Sequence, residues 1–139
     1  LALVHQNHWA VTLTVDGAPV PGVFDSFEGG RVAGEATQYR PGGMAEAETS
    51  VSPPVVEEIT ISRGYRAERD AVIEKWLSNR IGAACVVGKQ ALNPDRSAVP
   101  GGLTTYRGRI VSIDTPSHDS NGTEVTRLAV TIGVDGLPS

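Results

Sequence analysis

The stretch Arg127-Leu128-Ala129-Val130-Thr131-Ile132-Gly133-Val134 decides the fold class. Leu128, Val130, Ile132 and Val134 fall on one side of an extended chain, and Arg127, Ala129, Thr131 and Gly133 on the other. That two-residue period marks a strand with one buried face. The strand extends back to Thr123, and Leu103 to Asp114 makes a second long strand before it. Pro116 to Gly122 joins the two, and its Asn121-Gly122 pair suits the positive φ of a hairpin loop. Further out, Trp9, Val11, Leu13 and Val15 alternate with Ala10, Thr12 and Thr14, followed by the turn signal Asp16-Gly17. Pro19 and Pro21 then punctuate a short segment ending at Phe24. Ile59 and Ile61 alternate with Thr60 and Ser62, and this pattern extends back through Val55. Ala83 to Leu92 adds a fourth apolar stretch, with Cys85 and Val87 on one face and Val86 on the other.

One helix interrupts the strands, predicted from Ala67 to about Arg80. Val72, Ile73, Trp76, Leu77 and Ile81 recur as a single stripe at the helical period. Glu68 and Asp70 in the first turn and Arg80 in the last favour the macrodipole, and Gly82 is placed to end the helix. A lone helix with one apolar face must dock on a sheet, so Val72, Ile73, Trp76 and Leu77 are expected at a helix–sheet contact. The predicted architecture is a mainly β chain: a β-sandwich or barrel of two packed antiparallel sheets with one flanking helix.

The chain has 139 residues, enough for one domain and a core without staples. Its 12 basic residues against 16 acidic ones give a formal charge of −4, which argues against a surface that grips nucleic acid by counterion release. No apolar run approaches the ~20 residues of a spanning helix, and membrane insertion is not expected. Leu1 to Trp9 lacks the basic-then-apolar pattern of a secretory signal and reads as an N-terminal arm over residues 1–8. A single cysteine excludes an internal disulfide framework and a cysteine-based zinc site.

Between Asp25 and Glu58 the composition changes. Seven carboxylates (Asp25, Glu28, Glu35, Glu46, Glu48, Glu57 and Glu58) face two arginines, Arg31 and Arg40, a local charge of −5, and Pro41-Gly42-Gly43 breaks the segment in the middle. It reads either as a solvated hairpin with a mobile tip or, being longer than most loops of compact domains, as a segment with a partner.

Chemistry is sparse. His5, His8 and His118 have no companions at metal-ligand spacing, so no metal site is expected. Cys85 alternates with valines and reads as an inert core thiol. Gly88-Lys89-Gln90 is similar to the end of a phosphate-binding loop but lacks the Ser or Thr after the lysine. Glu57 and Glu58 are adjacent in a strand pattern and point to opposite faces, so they cannot act jointly as acid and base. Trp76 reads as core, with a ring N–H that needs a partner. No catalytic residue and no cofactor is expected.

The order of features nevertheless resembles a known family. Phe24-Asp25-Ser26-Phe27-Glu28-Gly29-Gly30 leads to Glu35 and then to Thr37-Gln38-Tyr39-Arg40-Pro41-Gly42-Gly43. After the acidic excursion come Ile59-Thr60-Ile61-Ser62-Arg63-Gly64-Tyr65, the helix with Trp76, a hairpin and the final alternating strand. From about Val11 to Gly136 this resembles the tail tube proteins of bacteriophages and their relatives in contractile injection machines. The connection Asn93 to Gly102, with two prolines, and the lack of a Trp-Pro marker after it leave the tail type open.

The resemblance implies a structural virion protein with no enzymatic activity, assembled in the bacterial host cytoplasm into hexameric rings that stack as a hollow tail tube. Its implied partners are copies of itself, the tape measure protein, a tail terminator and tail tip or baseplate proteins, with double-stranded DNA in transient passage. It implies an extended inter-ring loop over residues 40–55 and subunit contacts through Arg40, Pro41, Gly42, Gly43, Met44, Glu46, Glu48 and Arg63. Asp25, Glu28, Glu35, Glu57 and Glu58 become candidate lumen or loop acids, since an acidic wall would keep the duplex from sticking. An injection-system tube that passes protein cargo is the alternative. A small-ligand or enzymatic β-domain using Tyr39, Arg40 and His118 is the reading from a different class.

Overall fold

The computed structural model describes residues 9–43, 46, 48–114 and 126–139. The expected N-terminal arm, Met44, His118 and the Pro116–Gly122 hairpin loop lie outside the described residues. In chain order the elements are β1 (Trp9–Val15), β2 (Ala18–Pro19), β3 (Ser26–Gly29), β4 (Val32–Ala33), β5 (Ala36–Tyr39) and a 3-10 turn (Pro41–Gly43). They continue with β6 (Glu48–Val51), β7 (Val55–Val56), β8 (Ile59–Gly64), the helix α1 (Ala67–Ser78), β9 (Ala84–Leu92), β10 (Ala98–Asp114) and β11 (Arg127–Val134).

Seven strands form one antiparallel sheet in the order β2-β1-β9-β10-β11-β8-β3. The sheet curls until its margins meet at a single bridge between Val11 and Phe24. It stops short of a closed barrel and gives the expected two-layered, mainly β fold. Val11, Leu13 and Val15 of β1, Ile59 and Ile61 of β8, Cys85 and Val87 of β9, and Leu128, Val130 and Ile132 of β11 are buried on the inner face. The alternation legible in the sequence is therefore the alternation of the core. Asp16 and Gly17, at φ of 50° and 80°, make the two-residue turn that returns β1 to β2.

Two predicted boundaries move. The connection after Asn93 is shorter than expected. Ser97 turns back on Asn93 and Asp95, and β10 begins at Ala98, shifting register between Ala98 and Leu103 to absorb Pro100 and the two glycines. The helix ends at Ser78 and not near Arg80. There Ser78 Oγ donates to the Glu74 carbonyl at 2.7 Å and Asn79 Nδ2 donates to the Lys75 carbonyl at 3.1 Å. The side chains of Asn79 and, at 3.4 Å from the Trp76 carbonyl, Arg80 thus take carbonyls that another turn would have used.

Ile73 and Leu77 enter the core, and Trp76 packs beside it half-buried, with the Arg80 guanidinium 4.3 Å above its ring. Val72 corrects the expectation: it is 71% exposed. At 100° per residue it stands on the far flank of a buried arc centred on Asp70, Ile73 and Leu77.

Candidate assembly interface

The acidic excursion is a long two-stranded arm. β4 pairs β7, with Val32 opposite Val56, and β5 pairs β6, with Ala36 opposite Val51 and Tyr39 opposite Glu48. Apart from half-buried Ala33 and Val56, its described side chains from Arg31 to Glu58 are exposed. Among them Tyr39, Val51 and Val55 are each more than 60% exposed. A two-stranded ribbon without a packed face is marginal in water, and both its edges offer unpaired backbone groups. The arm is rooted at Gly29, where φ is 86° and an added Cβ would come within 1.9 Å of the Glu58 carbonyl oxygen. Only glycine serves there.

Arg40, Gly42, Gly43, Glu46 and Glu48 all lie at the outer end of this arm, with Pro41 between them in the 3-10 turn. Glu35, Glu57 and Glu58 are also on the arm, and Glu57 lies 3.9 Å from Arg31. Glu57 and Glu58 sit between β7 and β8 and not in a strand, as the alternation had implied. Glu28 stands on the outward side of β3, and Asp25 pairs with Arg127. The outward face of the sheet carries short side chains, among them Thr60, Ser62, Thr105, Ala129 and Thr131, interspersed with Arg107, Arg109 and Arg127. Among the described residues the arm carries Glu35, Glu46, Glu48, Glu57 and Glu58, while Glu28 and Asp114 stand on the outward face.

Arg63 also corrects the expectation of a subunit contact, because it is only 2% exposed. It lies over Phe24 at 4.7 Å, donates from Nη1 to the Pro21 carbonyl at 2.5 Å and from Nη2 to Asp70 at 2.6 Å. Its Nε is buried without a hydrogen-bond partner among the described residues. Asp70 also accepts from Arg69 Nε and Nη2 at 3.0 and 3.1 Å and from the Arg66 backbone N–H at 2.8 Å. Burial alone would push the Asp70 carboxyl up. The bonds from Arg69 and Arg66 and the charges of Arg63 and Arg69 outweigh it and hold Asp70 below the usual carboxylate range. A buried arginine is tolerated here because a buried carboxylate faces it across the helix–strand seam.

Among the described residues no group of three or more His, Cys, Asp or Glu lies together to hold a metal ion. Burial, with lesser contributions from Asp135 and Asp16, pushes the Cys85 thiol up to about 11, so it stays protonated at neutral pH. A shallow opening of about 400 Å³ between the sheet margins is lined by Trp9, Phe24, Phe27 and Lys89, with Lys89 Nζ 4.6 Å from the Trp9 ring and 4.5 Å from the Phe27 ring.

No protein-family model matches the sequence, and no curated protein matches it. Solved structures do. A chain of the anti-feeding prophage baseplate aligns with a TM-score of 0.70 at 17% identity, covering 98% of this chain and 93% of that one. A chain of the tube-terminating cap of the same particle aligns at 0.69 and 16% identity, covering 100% and 91%. A chain of the sheath–tube complex of the PVC extracellular contractile injection system, in its extended state, aligns at 0.69 and 14% identity, covering 99% and 91%. Over its whole length, then, this chain shares the fold of chains found in the anti-feeding prophage and PVC injection particles.

Proposed function

We propose that the chain is a non-enzymatic structural subunit that joins copies of itself into hexameric rings, which stack into a hollow tube. The observation that carries this is the arm: a charged, largely exposed ribbon with bare valines and a tyrosine, which its own body does not cover. Such a segment gains order by lying on another molecule, and the fold neighbours come from assembled particles. Rings need contacts that close by rotation, and stacking needs a second contact that does not close. The arm, reaching out from one end of the sheet, suits the second task.

In a phage tail this tube would conduct DNA and meet the tape measure, terminator and tip proteins. In an injection particle it would pass protein. The fold neighbours favour the contractile injection class. Deleting Pro41 to Glu48 is expected to leave folded subunits, by circular dichroism, that no longer polymerise in electron micrographs. Normal tubes from the deleted chain would reject the arm's role.

A further inference from the structure

A second charged feature lies at the opposite end of the β3–β8 ladder from the arm. The arm leaves the body where Gly29 faces Ile59. At the other end, past the Ser26–Ser62 pair, a cleft of about 420 Å³ opens among Gly22, Val23, Asp25, Arg63, Arg66 and Arg69. An added Cβ at Gly22 would lie 2.9 Å from Arg63 Nη1 and 2.8 Å from Arg69 Nη1, so the bare backbone there lets both guanidinium groups crowd the wall. Asp70 is shared between Arg63 and Arg69, and Asp25 is taken by Arg127. Arg66 is exposed, and no carboxylate pairs with it among the described residues. Among the described residues the cleft therefore keeps unneutralised positive charge, and the buried Nε of Arg63 beside it has no acceptor among them.

We propose that this basic cleft receives the acidic outer end of the arm, Glu46 and Glu48, from a second copy of the chain in the next ring, with Arg66 as the principal contact. The inference rests on the tube reading and names its stacking contact. A patch and a complementary cleft at opposite ends of one molecule make a heterologous contact that repeats by translation without closing, as a stack of rings requires. The charges match: the arm between Arg31 and Glu58 has five carboxylates against two arginines. Like charges misplaced across such a contact repel, so the pairing also fixes register.

The test is charge reversal, scored by pelleting and negative-stain microscopy of the full-length protein. Arg66→Glu is expected to cut polymer yield on the order of tenfold with an unchanged melting curve, since the side chain is exposed. Glu46→Arg with Glu48→Arg is expected to do the same. The three changes combined in one chain restore opposite charges and are expected to recover tubes. Wild-type tubes with an indifferent Arg66→Glu variant, or a triple variant that stays dispersed, would overturn the pairing alone. A wild-type chain that never polymerises would overturn the tube reading, and this contact with it.

Discussion

Asp70 holds the seam between helix and sheet, and its environment fixes how the protein should respond to acid. Its carboxyl is fully buried and lies below the ordinary carboxylate range in the folded chain. A group lowered on folding contributes stability that is complete above its unfolded pKa and is lost as pH falls through the folded one. Asp70→Asn is expected to cost about 3–5 kcal/mol at neutral pH, because it strands a buried guanidinium. The gap between wild type and variant, read by urea denaturation, should narrow as pH drops below the usual carboxylate range; a variant as stable as wild type at pH 7 would contradict this. Cys85 makes a second residue-scale case. Its thiol should resist alkylation in the native protein and label readily in denaturant, and fast native labelling would show that the inner face of β9 is open. The inertness of Cys85 was legible from its alternation with valines. The burial of Arg63 was not, because its partner Asp70 comes seven residues later and faces β8 only through the first turn of α1.

At the scale of elements, the helix shows what periodicity can and cannot tell. The period finds a stripe, but only the docked geometry selects which arc of the stripe is covered. Leu77→Ala, on the buried arc, is expected to cost about 2–5 kcal/mol. Val72→Ala, on the exposed flank, should stay within about 0.5 kcal/mol, and thermal melts of the two variants would expose a reversed order. The strands were legible because each buries one face, and β1, β8, β9 and β11 follow their sequence pattern closely. The arm was legible only as composition. Its ladders pair Ala36–Tyr39 with Glu48–Val51 without a buried face, so no apolar period marks them. Its root is sharper, since a side chain at Gly29 would run into the Glu58 carbonyl. Gly29→Val is therefore expected to lower stability and to disorder the start of the arm, visible as faster amide exchange at Val56 and Glu57. Unchanged exchange would mean that the root adapts.

For the whole molecule, the sheet nearly satisfies itself. β1 is covered by the segment through Phe24, and the C-terminal Ser139 exchanges backbone bonds with Thr105. Among the described residues, what remains unsatisfied is the outer edge of β3, the arm and the basic cleft, and these are the parts that ask for another copy. A contact built on charge weakens with salt, so the onset of assembly is expected to move to higher protein concentration as salt is raised through the physiological range. The fold was within reach of the sequence, whereas the placement of charge at two ends of one ladder needed three dimensions.

The most direct measurement is electron microscopy of the purified full-length chain over a wide concentration range at low salt. Rings and rods with a hollow axis, the arm of each ring resting on its neighbour, are expected. Dispersed single subunits at every concentration, with the arm folded onto its own sheet, would contradict the account.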